Sequence, residues 1–137
     1  MTVRDSVAGN FVSITEKINP DSGKVTEILS GDQSVTFLFE NINGKKAAGN
    51  CFSTRKKMAD ALGIKPEEII NAMSSAAASP QPVVEAKKPA FREKTVETDL
   101  TKLPIPKYYP EDGGRYISAG VIVAEWEGKR NVSFHRM

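Results

Sequence analysis

Asp112-Gly113-Gly114-Arg115-Tyr116-Ile117 leads into an apolar run, and Asn131-Val132-Ser133-Phe134-His135-Arg136-Met137 follows it after Glu127-Gly128-Lys129. Tyr116–Glu125 has a continuous apolar centre at 119–124, which predicts a long strand. Glu127-Gly128-Lys129 predicts a turn, and Asn131–Arg136 the returning arm of a hairpin. On a regular strand Asn131, Ser133 and His135 share one face, while Val132, Phe134 and Arg136 share the other.

Working back from the hairpin, Leu103-Pro104-Ile105-Pro106 is extended, because a residue before proline avoids the helical region. Thr98 or Asp99 suits the cap of a single turn, and Phe91–Glu97 reads as a strand. Residues 74–90 are rich in small residues and proline, the composition of a linker or crossing segment. Pro66 suits the first turn of a helix, Glu67 and Glu68 favour its positive end, and Ile69, Ile70 and Met73 form the expected buried face. Ser53 is the expected N-cap of a helix over 54–62 with Met58, Ala61 and Leu62 as its apolar stripe. Gly63 ends it.

The first half begins with a strand at 11–18 and a turn cluster, Asn19-Pro20-Asp21-Ser22-Gly23. Asp21 or Ser22 can cap a short helix carrying Val25, Ile28 and Leu29, with Gly31 ending it in a left-handed conformation. Ser34–Glu40 is a strand whose apolar centre suggests burial on both faces. Asn43-Gly44 is a strong hairpin turn, with Lys45–Asn50 returning. The fold class is α+β: a small mixed-sheet domain over 1–75, a linker over 76–98, and further β-structure over 99–137.

Composition narrows the function. With 137 residues, 39% hydrophobic and 26% charged, the chain can bury a core. A net charge of +2 gives no basic face for nucleic acid. No stretch has the apolar length of a membrane span, and the start has no apolar run like a signal peptide. The single cysteine, Cys51, fits a reducing cytoplasm. It reads as a small, half-buried residue rather than a nucleophile, since the one histidine, His135, is remote in sequence.

Phosphate loops of the P-loop or dinucleotide kind are absent, as are Cys/His clusters with metal-ligand spacing. Asp112-Gly113-Gly114 is either a loop whose amides approach an anion or a tight turn starting a strand. Tyr108 and Tyr109, among Pro104, Pro106 and Pro110, either line a groove or form a rigid surface crossing. Asn131 can offer a hard oxygen to Mg²⁺ or Mn²⁺, and Arg136 can hold a carboxylate bidentately. The plainer reading is a half-buried edge strand with exposed polar positions. His135 alone reads as a strand histidine.

Together, Leu103-Pro104, the Asp112–Ile117 segment and Arg130-Asn131-Val132-Ser133-Phe134-His135-Arg136-Met137 resemble the UbiD family of non-oxidative decarboxylases, which use prenylated FMN. Phe37-Leu38-Phe39-Glu40-Asn41-Ile42-Asn43-Gly44 and Gly49-Asn50-Cys51-Phe52-Ser53-Thr54-Arg55 resemble its N-terminal domain. The match covers roughly 11–137. The resemblance implies that Asn131 ligates Mn²⁺ beside the cofactor phosphate and that the Val132 carbonyl meets K⁺. It implies that Ser133, Phe134 and His135 run along the prenylated flavin, and that Arg136, also at the cofactor, positions the substrate carboxylate and pairs with acidic residues. It also implies that 99–137 begins a flavin-binding split β-barrel.

In the family the remaining metal ligands, the acid/base glutamates and a phosphate-binding lysine lie C-terminal to this signature. The expectation is therefore an N-terminal portion or small subunit, completed by a missing C-terminal part or partner chain and assembled as an oligomer. Its expected substrate is an α,β-unsaturated or aromatic acid: a polyprenyl hydroxybenzoate, a cinnamate-like acid or a phosphorylated isoprenoid precursor. The competing reading is a non-catalytic binding or assembly module pairing through its C-terminal β-edge. If Asn131 and Arg136 serve one site, their odd spacing requires an irregularity at 133–136.

Overall fold

A parallel strand pair with a helix between its arms organises the first half. In the computed structural model, which describes residues 11–82, 84, 87, 89 and 93–137, β1 spans Phe11–Ile18 and α1 Lys24–Gly31. Strands β2 (Thr36–Ile42) and β3 (Lys45–Gly49) complete a three-stranded sheet in the order β1-β2-β3. β1 runs parallel to β2, from Phe11 opposite Thr36 to Ile18 opposite Ile42, and β3 runs antiparallel to β2. The β2–β3 turn has Asn43 at φ 51° and Gly44 at φ 76°, both positive as a two-residue hairpin loop of this kind requires.

β2 is the central strand and supplies most of the core. Phe39 and Ile42 are each 1% exposed and pack with Ile18, Val25 and Phe37. Ile28 and Leu29 of α1 lie against this cluster, as their helical spacing predicts. The strand starts two residues later than expected. Ser34 is held by the Asp32 carboxylate, which accepts its N–H at 2.8 Å, so this turn replaces the first ladder position. Both faces are covered, as expected, though unequally: Phe37 and Phe39 are buried on one, while on the other Thr36 is buried and Leu38 half-buried.

Local chemistry corrects the ends of α1. Gly23, not Asp21 or Ser22, is the N-cap residue, at φ 72°, and Ser22 Oγ accepts the Lys24 N–H at 3.3 Å. Gly31 stays helical, and the chain leaves through the extended Asp32. Left-handed backbone thus enters the helix instead of ending it.

α2 (Arg55–Leu62) is capped by Thr54, whose Oγ accepts the Lys57 N–H at 3.2 Å. Ser53, the expected cap, instead donates to the carbonyls of Gln33 and Asn50. Gly63 ends α2 at φ 70°, as expected. The stripe differs: Ala59 is fully buried, while Met58 and Leu62 are 40% and 51% exposed. Polar contacts anchor this helix. Lys57 Nζ donates to the Asn50 carbonyl at 2.7 Å and to Thr36 Oγ1 at 3.0 Å, and Asn50 Nδ2 donates to Leu29 O at 2.8 Å.

Pro66–Glu68 forms a 3₁₀ turn before α3 (Ile69–Ala78). Of the expected face only Ile69 is buried, and Ile70 and Met73 stay exposed. The alanines at 76–78 are helical rather than linker, in keeping with their propensity.

The expected strand at Phe91–Glu97 falls partly outside the described residues, and Glu93–Glu97 is not a strand. Among the described residues no strand pairs with it, and Val96 is 83% exposed. Asp99 does cap a 3₁₀ turn over Leu100–Lys102, accepting the Thr101 N–H at 3.0 Å. A two-stranded hairpin follows: β4 (Gly120–Trp126) and β5 (Lys129–His135), turning through Glu127 at φ 49° and Gly128 at φ 72°. β4 begins at Gly120 rather than Tyr116 because Ser118 and Ala119 turn out of the ladder.

Hydrogen bonds between described residues fasten this second part to the first. Lys107 N donates to Pro20 O at 2.8 Å, and Asn43 Nδ2 donates to Thr101 O at 2.8 Å. Arg115 grips both carboxylate oxygens of Asp21 at 2.7 and 2.6 Å. A mainly apolar cavity of about 320 Å³ lies between the parts, bounded by Leu29, Phe39, Ile105, Tyr108 and Tyr116.

Candidate active site

The ladder from Gly120 opposite His135 to Trp126 opposite Lys129 runs without a register shift. The irregularity expected at 133–136 is therefore absent through His135. Asn131 and Arg136 thus face opposite sides of the strand and, among the described residues, share no pocket, and the irregularity sits on the facing segment. Ile117 N donates to Met137 O at 2.7 Å, and Met137 N returns a bond to Ile117 O at 3.2 Å. Between this pair and the next one, Gly120 with His135, Ser118 and Ala119 oppose Arg136 alone, a bulge in the other arm.

That arrangement puts Arg136 beside Tyr116. Its guanidinium carbon lies 5.3 Å from the Tyr116 ring centroid, within cation–π range. The Tyr116 ring in turn meets Tyr108, centroid to centroid 4.9 Å. Burial raises the Tyr116 hydroxyl above its ordinary pKa. The Asp112 charge adds to this, and Arg136 opposes it.

Two sequence motifs meet here. Asp112, Gly113, Gly114, Tyr116 and Arg136 border one open pocket of about 280 Å³. Gly113 and Gly114 are not in the left-handed region, and a Cβ on either would meet nothing within 4 Å. The tight-turn reading therefore does not explain why glycine stands at both positions. Asp112 shapes the loop by accepting the Tyr109 N–H at 2.8 Å.

Asn131 lies elsewhere on the hairpin. It is exposed, and its Oδ1 accepts its neighbour's N–H, from Val132, at 2.9 Å. Val132 and Phe134 are 57% and 78% exposed, Ser133 is half-buried, and His135 is exposed at the end of β5. No described residue joins Asn131 to Arg136. Among the described residues no three His, Cys, Asp or Glu side chains group as a metal site. The Asn131 oxygen keeps a second lone pair, so it suits one ligand position of a hard cation and no more. Cys51 is half-buried, and burial pushes its thiol up, away from a reactive thiolate.

The Asp21–Arg115 pair was not legible from spacing, because 94 positions separate the partners. The Arg115 hydrogen bond, chiefly, holds the Asp21 carboxyl below the usual aspartate range, with burial opposing it. A depressed carboxyl adds stability above its unfolded pKa, and that stability is lost as pH falls through the folded value. Arg115→Gln should return Asp21 to an ordinary titration near about 3.9, read by carboxyl-carbon NMR. An unmoved Asp21 would show that Arg115 does not hold it.

Among the described residues no helix is long and apolar enough to cross a membrane. Residues 7–77 match the 3-octaprenyl-4-hydroxybenzoate carboxy-lyase N-terminal domain, and residues 81–137 match the Rift-related domain of the same enzymes. The chain is 32% identical over 144 residues to an anhydromevalonate phosphate decarboxylase of Methanosarcina mazei, covering 100% of this chain and 33% of that protein. A second anhydromevalonate phosphate decarboxylase, from Archaeoglobus fulgidus, is 33% identical over 142 residues, with 100% and 32% covered. The fold matches the UbiD-class enzyme HmfF from Pelotomaculum thermopropionicum in complex with FMN at TM-score 0.84 and 24% identity, over 98% of this chain and 33% of that one. An evolved dimeric form of that enzyme, in complex with prenylated FMN, gives TM-score 0.81 at 25% identity. The chain thus spans about a third of the length of its relatives, which include decarboxylases. Two adjoining domain matches cover nearly all of its residues in the family's order, and the chain belongs to the UbiD family.

Proposed function

We propose that this chain is the N-terminal part of a prenylated-FMN-dependent decarboxylase, acting on an acid like anhydromevalonate phosphate. The observation that carries the reading is the pocket shared by Gly113, Gly114 and Arg136 at the root of the hairpin. There a fixed guanidinium can orient a carboxylate while loop amides approach an anion. Of the three substrate classes open from the sequence, the relatives' names favour a phosphorylated isoprenoid precursor.

In this reading Arg136 binds and orients the substrate carboxylate. Asn131 gives one oxygen ligand to Mn²⁺ beside the cofactor phosphate, and the Val132 carbonyl faces K⁺. Ser133, Phe134 and His135 run along the flavin, and 99–137 begins a split barrel. Prenylated FMN, when bound, supplies the electron sink for loss of CO₂. The remaining metal ligands and the acid/base carboxylates come from a C-terminal portion or a partner chain, in an oligomer working in the cytoplasm.

The test is direct. The complete enzyme, loaded with prenylated FMN, should release CO₂ from an anhydromevalonate-phosphate-like acid and leave an alkene one carbon shorter. No CO₂ from this or any unsaturated or aromatic acid would exclude decarboxylation. It would favour a second reading, a binding or assembly module. The observation behind that alternative is the exposed apolar face of the hairpin, where Val121, Val123, Val132 and Phe134 are 56–78% exposed.

A further inference from the structure

Arg136 is a long, exposed side chain at the end of a strand, and an unrestrained guanidinium there would sample many rotamers. Here it is restrained. The reciprocal Ile117–Met137 hydrogen bonds fix the backbone beside it. Strand alternation puts Tyr116 and Arg136 together on the face opposite Ile117 and Met137, at the diagonal spacing that aromatic and long side chains span. The ring is itself held from two directions: Tyr108 packs against it, and its neighbour Arg115 is clamped to Asp21 in the β1–α1 turn. The Tyr116 ring covers one side of the Arg136 guanidinium.

We infer that Tyr116 is a positioning residue: its ring face takes one side of the Arg136 guanidinium and leaves the N–H donors for a carboxylate. An aromatic face restrains the group without consuming those donors. Through Arg115 and Asp21, the position of the ring also depends on the first sheet. The inference rests on the decarboxylase reading for the identity of the ligand, but the stack itself does not.

The test uses the complete enzyme loaded with prenylated FMN. Tyr116→Leu, which removes the π face, should raise KM for the acid about tenfold and leave kcat and flavin content within about twofold. Tyr116→Phe, which keeps the face and loses the hydroxyl, should restore KM. In proton–carbon NMR of the chain, the Arg136 Hδ protons should lie upfield of free arginine. They should stay there in Tyr116→Phe and move back in Tyr116→Leu. An unchanged KM in Tyr116→Leu, or equal damage in both variants, would overturn the proposal. So would Arg136 protons at free-arginine positions in the unmutated chain. If the unmutated holoenzyme decarboxylated nothing, the decarboxylase reading would fall, and the arginine spectrum would still decide the stack.

Discussion

Arg136→Ala in the complete enzyme should lower kcat/KM by about a hundred- to a thousandfold, with flavin content retained. The magnitude follows from the bond lost: a substrate carboxylate held by a guanidinium makes two charge-assisted hydrogen bonds, and removing one partner of such a pair costs about 2–5 kcal/mol. A factor of ten corresponds to about 1.4 kcal/mol, so the middle of that range gives about two to three decades. Arg136→Lys should recover little of this, because an ammonium keeps the charge without the planar fork. Steady-state kinetics on Arg136→Ala and Arg136→Lys provide the check. Loss of less than about fivefold in Arg136→Ala would remove this residue from substrate binding.

Phe39→Ala should destabilise the first sheet by about 3–5 kcal/mol, the usual cost of a cavity left by a fully buried aromatic ring. Phe39 is 1% exposed in the central strand, between Val25 of α1 and Ile42. A unit of roughly 70 residues carries only about 4–10 kcal/mol in total, so the variant should be largely unfolded at 37 °C. Urea unfolding followed by circular dichroism measures the change. Phe134→Ala is the contrast. That ring is 78% exposed on the hairpin and should change stability by no more than about 0.5 kcal/mol. Similar losses in both variants would mean that the core is not centred on β2.

Much of the fold was legible because the signals were local. Asn43-Gly44 demands positive φ at two successive positions, and only a tight hairpin uses that pair. Gly63 stops α2 and Asp99 caps its 3₁₀ turn for reasons contained within a few residues. The helix stripes were less legible. Met58, Leu62, Ile70 and Met73 have the right spacing, yet all are exposed, because burial needs a facing surface that spacing does not specify. Gly31 has the sequence context of a C-cap, yet Gly23 holds the left-handed position, since either glycine can adopt it.

The sequence offers residue types for the candidate site and not their geometry. Arg136 and the Gly113-Gly114 loop, separate motifs in the sequence, border one pocket. What joins them is the bulge at Ser118–Ala119, in the arm opposite the expected one. A bulge on either strand of a pair changes which residue faces which, and a sequence does not say which strand carries it. Spacing gives no sign that Tyr116 meets Arg136, for the same reason. Asn131 reads well as a single oxygen ligand, but one donor cannot show where the other ligands come from.

The central claim is that these residues hold part of a flavin site and not all of it. Fluorescence titration of prenylated FMN into this 137-residue chain tests it most directly, with Mn²⁺ and K⁺ present. The expected result is weak binding, with Kd near about 1 mM or above, because on the proposed reading this chain brings only the Asn131 oxygen to Mn²⁺ and the Val132 carbonyl to K⁺. Stoichiometric, sub-micromolar binding by the isolated monomer would contradict the account.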